Sequence, residues 1–291
     1  MSKLMSLLFE TNAFNVAPEN SPFWYTSGKI GPYFINADYL YGSSEDSKSL
    51  LSFIDNELAS EDKKDLPNHV FKEVLSHYNS NEIYKLVIDS MVNYIKENID
   101  LNSVDYISGG ERRDWYFSNL ISYLLNKPHI TIYKDLTTIV SNSDFSESDY
   151  ISKLENKNLL HIADLLNQSV SFTRNWIPAV NTLGSSIKYA LFAIDRMDGG
   201  TAVLEDCNVE VHSLLKINDE LLVQALDLGF ITKEQLEVVR KFKKDPMDSM
   251  KQFLINHPEF IENAKKSDNK KTQDRVKILV EQDIYGLNSN K

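Results

Sequence analysis

The sequence predicts an α/β fold in which a mostly parallel β-sheet is flanked by helices, with an N-terminal hood and a helical C-terminal extension. Short β-prone runs recur in the middle of the chain, and stretches long enough for crossover helices separate them. The runs are Val104–Ser108, His129–Tyr133, Leu159–Ala163 and Ile187–Asp195. Alternation of this kind is typical of a parallel sheet covered by helices.

The segments on either side of these runs have different patterns. Up to about Tyr41 the chain is rich in aromatic and turn residues, which predicts a non-helical hood. From Glu45 to Asn102 apolar residues recur at three- and four-residue steps, which predicts a helical insertion. The stretch Asp114–Asn126 suits a crossover helix, and the polar segment Ser141–Asn156 predicts a mobile loop.

Helical spacing returns from about Asn218 to the end of the sequence. Thr232 and Gln235 have the spacing of a capping box. Pro246 and Pro258 each stand near the start of a further predicted helix. The C-terminal part is therefore expected to consist of several short helices.

Length and composition allow one large domain or two modest ones, since 42% of the 291 residues are hydrophobic and 25% are charged. The patterns predict a domain over residues 1–217, which includes the hood and the insertion at 45–102, and a helical extension over 218–291.

The charge balance limits the partners that the chain can bind. A net charge of -11 and a pI near 5.1 argue against broad binding to nucleic acid or anionic membranes, because both need a positive field. The single cysteine, Cys207, excludes an internal disulfide, and the histidines have no metal-ligand spacing. No signal peptide or membrane-spanning run is evident. We therefore expect a cytoplasmic protein without protein ligands to a metal.

Ligands of open α/β sheets bind beyond the carboxyl ends of the strands. The first β-prone run is followed by "GGERRDW", residues Gly109–Trp115. Its paired glycines permit close backbone approach, and Arg112, Arg113 and the amides of the next helix suit an anion. The alternative is a tight turn with a surface salt bridge from Glu111.

Other charged residues follow the later runs. Asp164 comes after the third run and Arg196 after the fourth, so both are expected at the same edge of the sheet. Asp164 could instead cap the helix that follows it. Arg174 and Trp176 either line a pocket or pack that helix, and His161 is expected to be a core histidine.

These segments, in this order, resemble type I phosphoribosyltransferases over about Phe23–Leu215, most closely those of the orotate-specific group. Thr26–Asn36 is similar to the family's N-terminal substrate segment, and Ser108–Trp115 to its pyrophosphate loop. Leu159–Ser171 resembles the motif that binds phosphoribosyl diphosphate (PRPP). Ala193–Gly200 is similar to the segment whose arginine binds orotate.

The resemblance implies a set of site residues. Catalytic roles fall to Asp164, which would hold the ribose, and to Lys134 and Arg113, which would serve the diphosphate. Substrate-binding roles fall to Lys29, Phe34, Arg112, Arg196, Asn167, Gln168, Ser169 and Ser171. Mg²⁺, bound mainly through the substrate diphosphate, and a homodimer are also implied.

The chain departs from the family pattern at residues that concern chemistry. Ala163 stands where the family has the first of two adjacent acids, and the loop after Asp164 has no glycine. Thr137 and Ile139 replace the second lysine and the histidine of the family's flexible catalytic loop, and Thr26 replaces another lysine.

Three functions therefore remain open. The first is transfer of the phosphoribosyl group of PRPP to orotate or a related pyrimidine base, with release of pyrophosphate, in pyrimidine nucleotide synthesis. The alternative is a catalytically impaired protein of the same fold that binds a nucleotide or phosphorylated metabolite as a sensor or regulator. The third is an interaction module built around the C-terminal helices.

Overall fold

A computed structural model describes residues 2–59 and 62–287. By their contacts they divide into two compact units. The first unit contains Ala37–Asn218 and the N-terminal helix, and the second contains Ala13–Asn36 and the chain from Asp219 onward. The sequence predicted a division into 1–217 and 218–291. The division by contacts differs at the hood, because Ala13–Asn36 packs with the C-terminal helices.

The N-terminal segment begins with helix α1 (Ser2–Glu10), although the sequence predicted a non-helical hood. The prediction was wrong there because most of the aromatic and turn residues on which it rested come after this helix. Within α1, the buried residues Met5 and Leu8 lie three positions apart, so helical apolar spacing is already present. The short hood strands follow and belong to the second unit: β1 (Phe14–Val16), β2 (Phe23–Trp24), β3 (Ile30–Gly31) and β4 (Tyr33–Ile35).

The helical character predicted for the insertion is confirmed. Its described residues form α2 (Ser44–Leu58), α3 (Leu66–Ser80) and α4 (Glu82–Asn98), followed by a 3-10 turn at Leu101–Ser103. The Ser43 side chain accepts a hydrogen bond from the Asp46 N–H and caps α2. The Asn81 side chain caps α4 in the same way. These caps satisfy backbone donors that a helix start leaves without an intrahelical partner.

A seven-stranded sheet forms the centre of the first unit, in the order β11-β10-β9-β5-β6-β7-β8. Its strands are β5 (Tyr106–Gly110), β6 (His129–Ile132), β7 (Thr138–Ser141), β8 (Ser148–Tyr150), β9 (Asn158–Leu166), β10 (Ser186–Asp195) and β11 (Glu210–Lys216). The five strands from β11 to β6 pair in parallel, and β7 and β8 add antiparallel pairs at one edge. The predicted mostly parallel sheet is therefore confirmed.

Helices cover the sheet, and the crossover helix α5 (Trp115–Leu124) follows β5 as predicted. A helical stretch after β9 begins near Val170, passes through a π-helical turn at Phe172–Trp176 and continues as α6 (Ile177–Thr182). Consecutive residues of β9, Leu159 to Ala163, are all buried. Side chains alternate between the faces of a strand, so continuous burial shows that both faces are covered.

The segment predicted as a mobile loop, Ser141–Asn156, contains β8, which pairs with β7. The prediction was wrong because one aromatic side chain anchors the polar segment. Phe145 is fully buried, and its ring stacks on Phe71 of α3 with 4.6 Å between centroids. A segment that is polar overall can therefore be held in place by one buried aromatic side chain, which its average polarity does not reveal.

The later helices are α7 (Gly200–Glu205) in the first unit and α8 (Asp219–Asp227), α9 (Lys233–Lys244), α10 (Pro246–Asn256), α11 (Pro258–Lys265) and α12 (Lys270–Glu281) in the second. The predicted capping box at Thr232 and Gln235 is confirmed, as are the helix starts at Pro246 and Pro258. Within the described residues, none of the helices combines the length and hydropathy needed to cross a bilayer.

Candidate functional site

A cleft of about 320 Å³ lies beyond the carboxyl ends of β5 and β9 in the first unit. One wall is the turn that follows β5, and the opposite wall is the loop that follows β9. Its lining includes Glu111, Arg112, Arg113, Asp114, Lys134, Asp164, Asn167, Ser169 and Ser171. Parallel strands bring these sequence-distant loops to one edge, where ligands of open sheets bind.

The end of β5 needs glycine because the backbone meets an indole ring there. A Cβ at Gly110 would collide with the ring of Trp176, which is buried and also lines the cleft. Trp176 therefore packs against the strand and contributes to the cleft at once, whereas Arg174 is exposed and outside the lining. The peptide bond between Glu111 and Arg112 is cis.

Asp114 connects the two walls of the cleft through hydrogen bonds. It was not among the site residues predicted from the sequence. Its carboxylate accepts hydrogen bonds from the Gly110 N–H at 3.1 Å and from the Asp164 N–H at 3.3 Å. It also lies 3.4 Å from Nε2 of His161, whose Nδ1 is 2.9 Å from the Ser108 hydroxyl. His161 is a buried, hydrogen-bonded core histidine, as predicted. The available signal for Asp114 was an acid placed directly after the two arginines, at the start of α5.

Asp164 lies within β9, two residues before the strand ends, and does not cap the helical stretch that follows. Burial, and then the carboxylates of Asp114 and Asp38, raise the pKa of Asp164 to about 7, while Arg113 acts in the opposite direction. A carboxyl group that gains and loses its proton near neutral pH is thus placed inside the cleft.

Each cation of the cleft lies against a carboxylate. Nε of Arg113 is 3.3 Å from the buried carboxylate of Asp38, which precedes the insertion. Arg112 forms an ion pair with Asp55 of α2. These two ion pairs hold Arg113 near Asp38 and Arg112 near helix α2, both within the first unit.

Lys134 is paired with Glu111, the residue before the two arginines. Nζ of Lys134 is 3.5 Å from Oε1 of Glu111, and the Lys134 N–H donates to Oε2 at 3.1 Å. The chain then turns back at once, because the Tyr133 N–H donates to the Thr137 carbonyl at 2.9 Å. The segment with Lys134 is therefore a tight hairpin between β6 and β7, not a long flexible loop.

The loop after β9 keeps an unusual backbone shape without glycine. Ser169 has a φ of 58°, in the left-handed region that favours glycine, and its hydroxyl donates to the Gly200 carbonyl at 3.0 Å. Asn167, Ser169 and Ser171 line the cleft, whereas Gln168 is exposed and outside the lining. The helical stretch begins here, so its first amides and their positive dipole end lie beside the cleft.

Three other residues implied by the resemblance lie outside this lining. The Arg196 N–H donates to the Leu166 carbonyl at 2.9 Å, and its guanidinium lies 2.8 Å from Asp198. Lys29 and Phe34 belong to the second unit, where both side chains are exposed. Across residues 2–59 and 62–287, no group of three or more histidine, cysteine or acidic side chains is arranged to hold a metal ion.

Comparison with solved structures gives the fold. The chain is similar to UMP synthase of Leishmania donovani, with a TM-score of 0.54 and 17% identity over 83% of this chain and 41% of that one. It is also similar to orotate phosphoribosyltransferase of Francisella tularensis, with a TM-score of 0.52 and 13% identity over 83% of this chain and 98% of that one. No family model matches the chain, and no curated protein sequence matches it.

This chain therefore has the type I phosphoribosyltransferase fold. The aligned part spans less than half of the Leishmania UMP synthase chain but nearly all of the Francisella orotate phosphoribosyltransferase. At these identities the likeness concerns the fold, and the chemistry has to be argued from the cleft.

Proposed function

We propose that the cleft binds PRPP and that the protein transfers its phosphoribosyl group to orotate or a related base, releasing pyrophosphate. The observation that carries the proposal is the convergence of Arg112, Arg113, Lys134 and Asp164 on one cleft beside the start of a helix. Three cations suit a diphosphate, which is a polyanion that planar guanidinium groups bind well. The amides and hydroxyls near Ser169 and Ser171 suit the 5′-phosphate.

The transfer needs electrostatic help more than covalent help. As the bond between C1 of the ribose and the diphosphate loosens, negative charge grows on the leaving group and positive charge on the ribose. Arg113 and Lys134 would stabilise the leaving diphosphate, and the ionised form of Asp164 would hold the ribose hydroxyls. The resemblance implies that Phe34, Lys29 and Arg196 contribute to binding of the base.

Mg²⁺ fits this scheme as an ion bound mainly by the substrate. Mg²⁺ in phosphate sites is commonly bound by one or two carboxylates together with substrate phosphates. Among the carboxylates that line the cleft, Glu111 is paired with Lys134 and Asp114 accepts backbone hydrogen bonds, so Asp164 is the one that we expect to contribute to such a set. The ion would supply charge neutralisation for the diphosphate.

A second function, binding without turnover, is favoured by the tight hairpin at Tyr133–Thr137. A short hairpin gives Lys134 little reach to close over a bound substrate. Ala163 also leaves Asp164 without the neighbouring acid of the family motif. The same cleft would then hold PRPP or a nucleotide as a sensor or regulator.

Calorimetric titration with PRPP and Mg²⁺, followed by a product assay with orotate and other bases, separates these functions. We expect Asp164→Asn and Arg113→Gln each to weaken PRPP binding about tenfold or more, the usual effect of losing a hydrogen bond to a charged group. Arg240→Gln is the control, because Arg240 is also an arginine paired with an aspartate, Asp219, but it lies in the second unit, away from the cleft lining.

Each outcome selects one function. Nucleotide formation by the wild type supports transfer. PRPP binding that the variants weaken, with no product from any base, supports the sensor. Absence of PRPP binding by the folded wild type would reject transfer, and absence of nucleotide binding in the same titration would reject the sensor as well.

A further inference from the structure

The hood strands are too short to be stable by themselves. β2 and β3 share two residue pairs, and β1 and β4 share three. Isolated two-stranded ribbons are at best marginally stable in water and need a packing partner. The conformation of the hood must therefore be fixed by the remainder of its unit.

That partner is the group of C-terminal helices, and its polar contacts are directed at the hood backbone. The Tyr285 hydroxyl accepts a hydrogen bond from the Ile30 N–H at 2.9 Å and lies 3.3 Å from the Ile30 carbonyl, to which it donates. Nη1 of Arg275 in α12 donates to the Trp24 carbonyl at 3.0 Å. The Trp24 ring also stacks on Phe260 of α11, with 5.3 Å between centroids.

Helix α12 and the turn after it, which contains Tyr285, hold both neighbours of Lys29. Gly28 has a φ of 79°, and a Cβ there would come within 2.7 Å of Ile278 in α12. Ile30 is buried and is held at both backbone groups by Tyr285. The backbone of Lys29 closes the turn by accepting from the Tyr25 N–H at 2.8 Å, while its side chain is exposed. A flexible cation is thus presented from a backbone that is fixed on each side.

We propose that Arg275 and Tyr285 are positioning residues that fix the turn carrying Lys29, so that the C-terminal helices set the affinity for the base. The inference rests on the proposed function, in which Lys29 and Phe34 contact the base. A binding residue on a pre-ordered turn loses less conformational entropy when the ligand binds. Loosening the turn should therefore lower the affinity for the base. The affinity for PRPP, which binds in the cleft of the first unit, should not change.

The test combines a ligand-independent measurement with a comparison of two substrates. Tyr285→Phe keeps the ring and removes the hydroxyl, and Arg275→Gln removes the charged donor to Trp24. We expect amide hydrogen exchange at Ile30 to become about tenfold faster in Tyr285→Phe, as for the loss of one hydrogen bond. We also expect the orotate affinity to fall by about the same factor, while the PRPP affinity is unchanged.

Lys277→Gln is the control, because Lys277 is an exposed cation of the same helix whose partner is Glu281. Arg275→Lys should recover part of the affinity lost in Arg275→Gln, since it restores a charged donor. Unchanged exchange at Ile30, or faster exchange with unchanged orotate affinity, would overturn the inference. A wild type that binds no base would instead reject the proposed function, and exchange at Ile30 would still show whether Tyr285 fixes the turn.

Discussion

Asp164 shows how one residue takes its properties from its neighbours. Within the strand sequence it is an ordinary aspartate, but burial and the carboxylates of Asp114 and Asp38 raise its pKa to about 7. The pKa is elevated because burial removes water from the Asp164 carboxylate, and because its negative charge would lie near those of Asp114 and Asp38. Residue type alone predicts an ionised aspartate here.

The raised pKa of Asp164 predicts a pH dependence of stability. Between about pH 4 and pH 7 the folded protein binds a proton at Asp164 that the unfolded chain has released, so the free energy of unfolding falls as pH rises through this window. The effect is about 1.4 kcal/mol for each unit of difference in pKa. In urea unfolding across this range, the free energy of unfolding of the wild type should fall with rising pH relative to that of Asp164→Asn.

The quantity to compare is the difference in free energy of unfolding between wild type and Asp164→Asn at each pH. His129, another buried group, changes the stability of both proteins with pH in the opposite direction. Burial lowers the pKa of His129 to about 3, so its contribution is present above the unfolded pKa and is lost as pH falls below about 6.5. Asp149→Asn, at an exposed position, serves as the control. Parallel pH profiles for wild type and Asp164→Asn would contradict the prediction.

The elements around the cleft show that the insertion reaches a residue of the candidate site. Asp55 of α2 forms an ion pair with Arg112, which lines the cleft. A diphosphate that binds Arg112 has to compete with this carboxylate. The helical insertion thereby acquires an electrostatic influence on the cleft that its apolar spacing did not indicate.

Asp55→Asn is expected to strengthen pyrophosphate binding, because it removes the competing carboxylate. Exposed ion pairs contribute up to about 1 kcal/mol, so the gain should be about two- to fivefold at low ionic strength and should shrink as salt is added. Calorimetry with pyrophosphate measures it. Asp149→Asn breaks the comparable surface pair with Lys64 and is the matched control. Equal or weaker pyrophosphate binding by Asp55→Asn would show that Asp55 does not compete at this site.

Strands buried on both faces could be predicted from the sequence, whereas strands at the edges of the sheet could not. The four β-prone runs became β5, β6, β9 and β10 because apolar, β-branched stretches report burial on both faces. β7, β8 and β11 were not predicted. β8, in particular, is exposed and polar, and its pairing depends on β7 and on the anchor at Phe145.

At the scale of the whole molecule, the resemblance implies a homodimer, which we expect to see in the mass of the protein in solution. Sedimentation equilibrium should give twice the chain mass of 33.4 kDa at the concentrations used for binding. The expectation comes from the resemblance alone, since the flexible loop of the resembled enzymes closes over their substrates across a dimer interface. Asp149→Asn, which alters one exposed pair, should have the same mass as the wild type. A single-chain mass under those conditions would contradict the predicted homodimer.

The sequence by itself determined the alternation of strands and helices, the helical insertion, the caps of the C-terminal helices and the loops that meet at one sheet edge. Each of these depends on local periodicity, turn chemistry or a general rule of sheet topology. The tertiary structure decided which carboxylate each cation meets and which segment supports the hood. Arg112 meets Asp55 across 57 residues, and Arg275 meets Trp24 across 251. Such contacts depend on how distant elements pack, which no local pattern along the chain encodes.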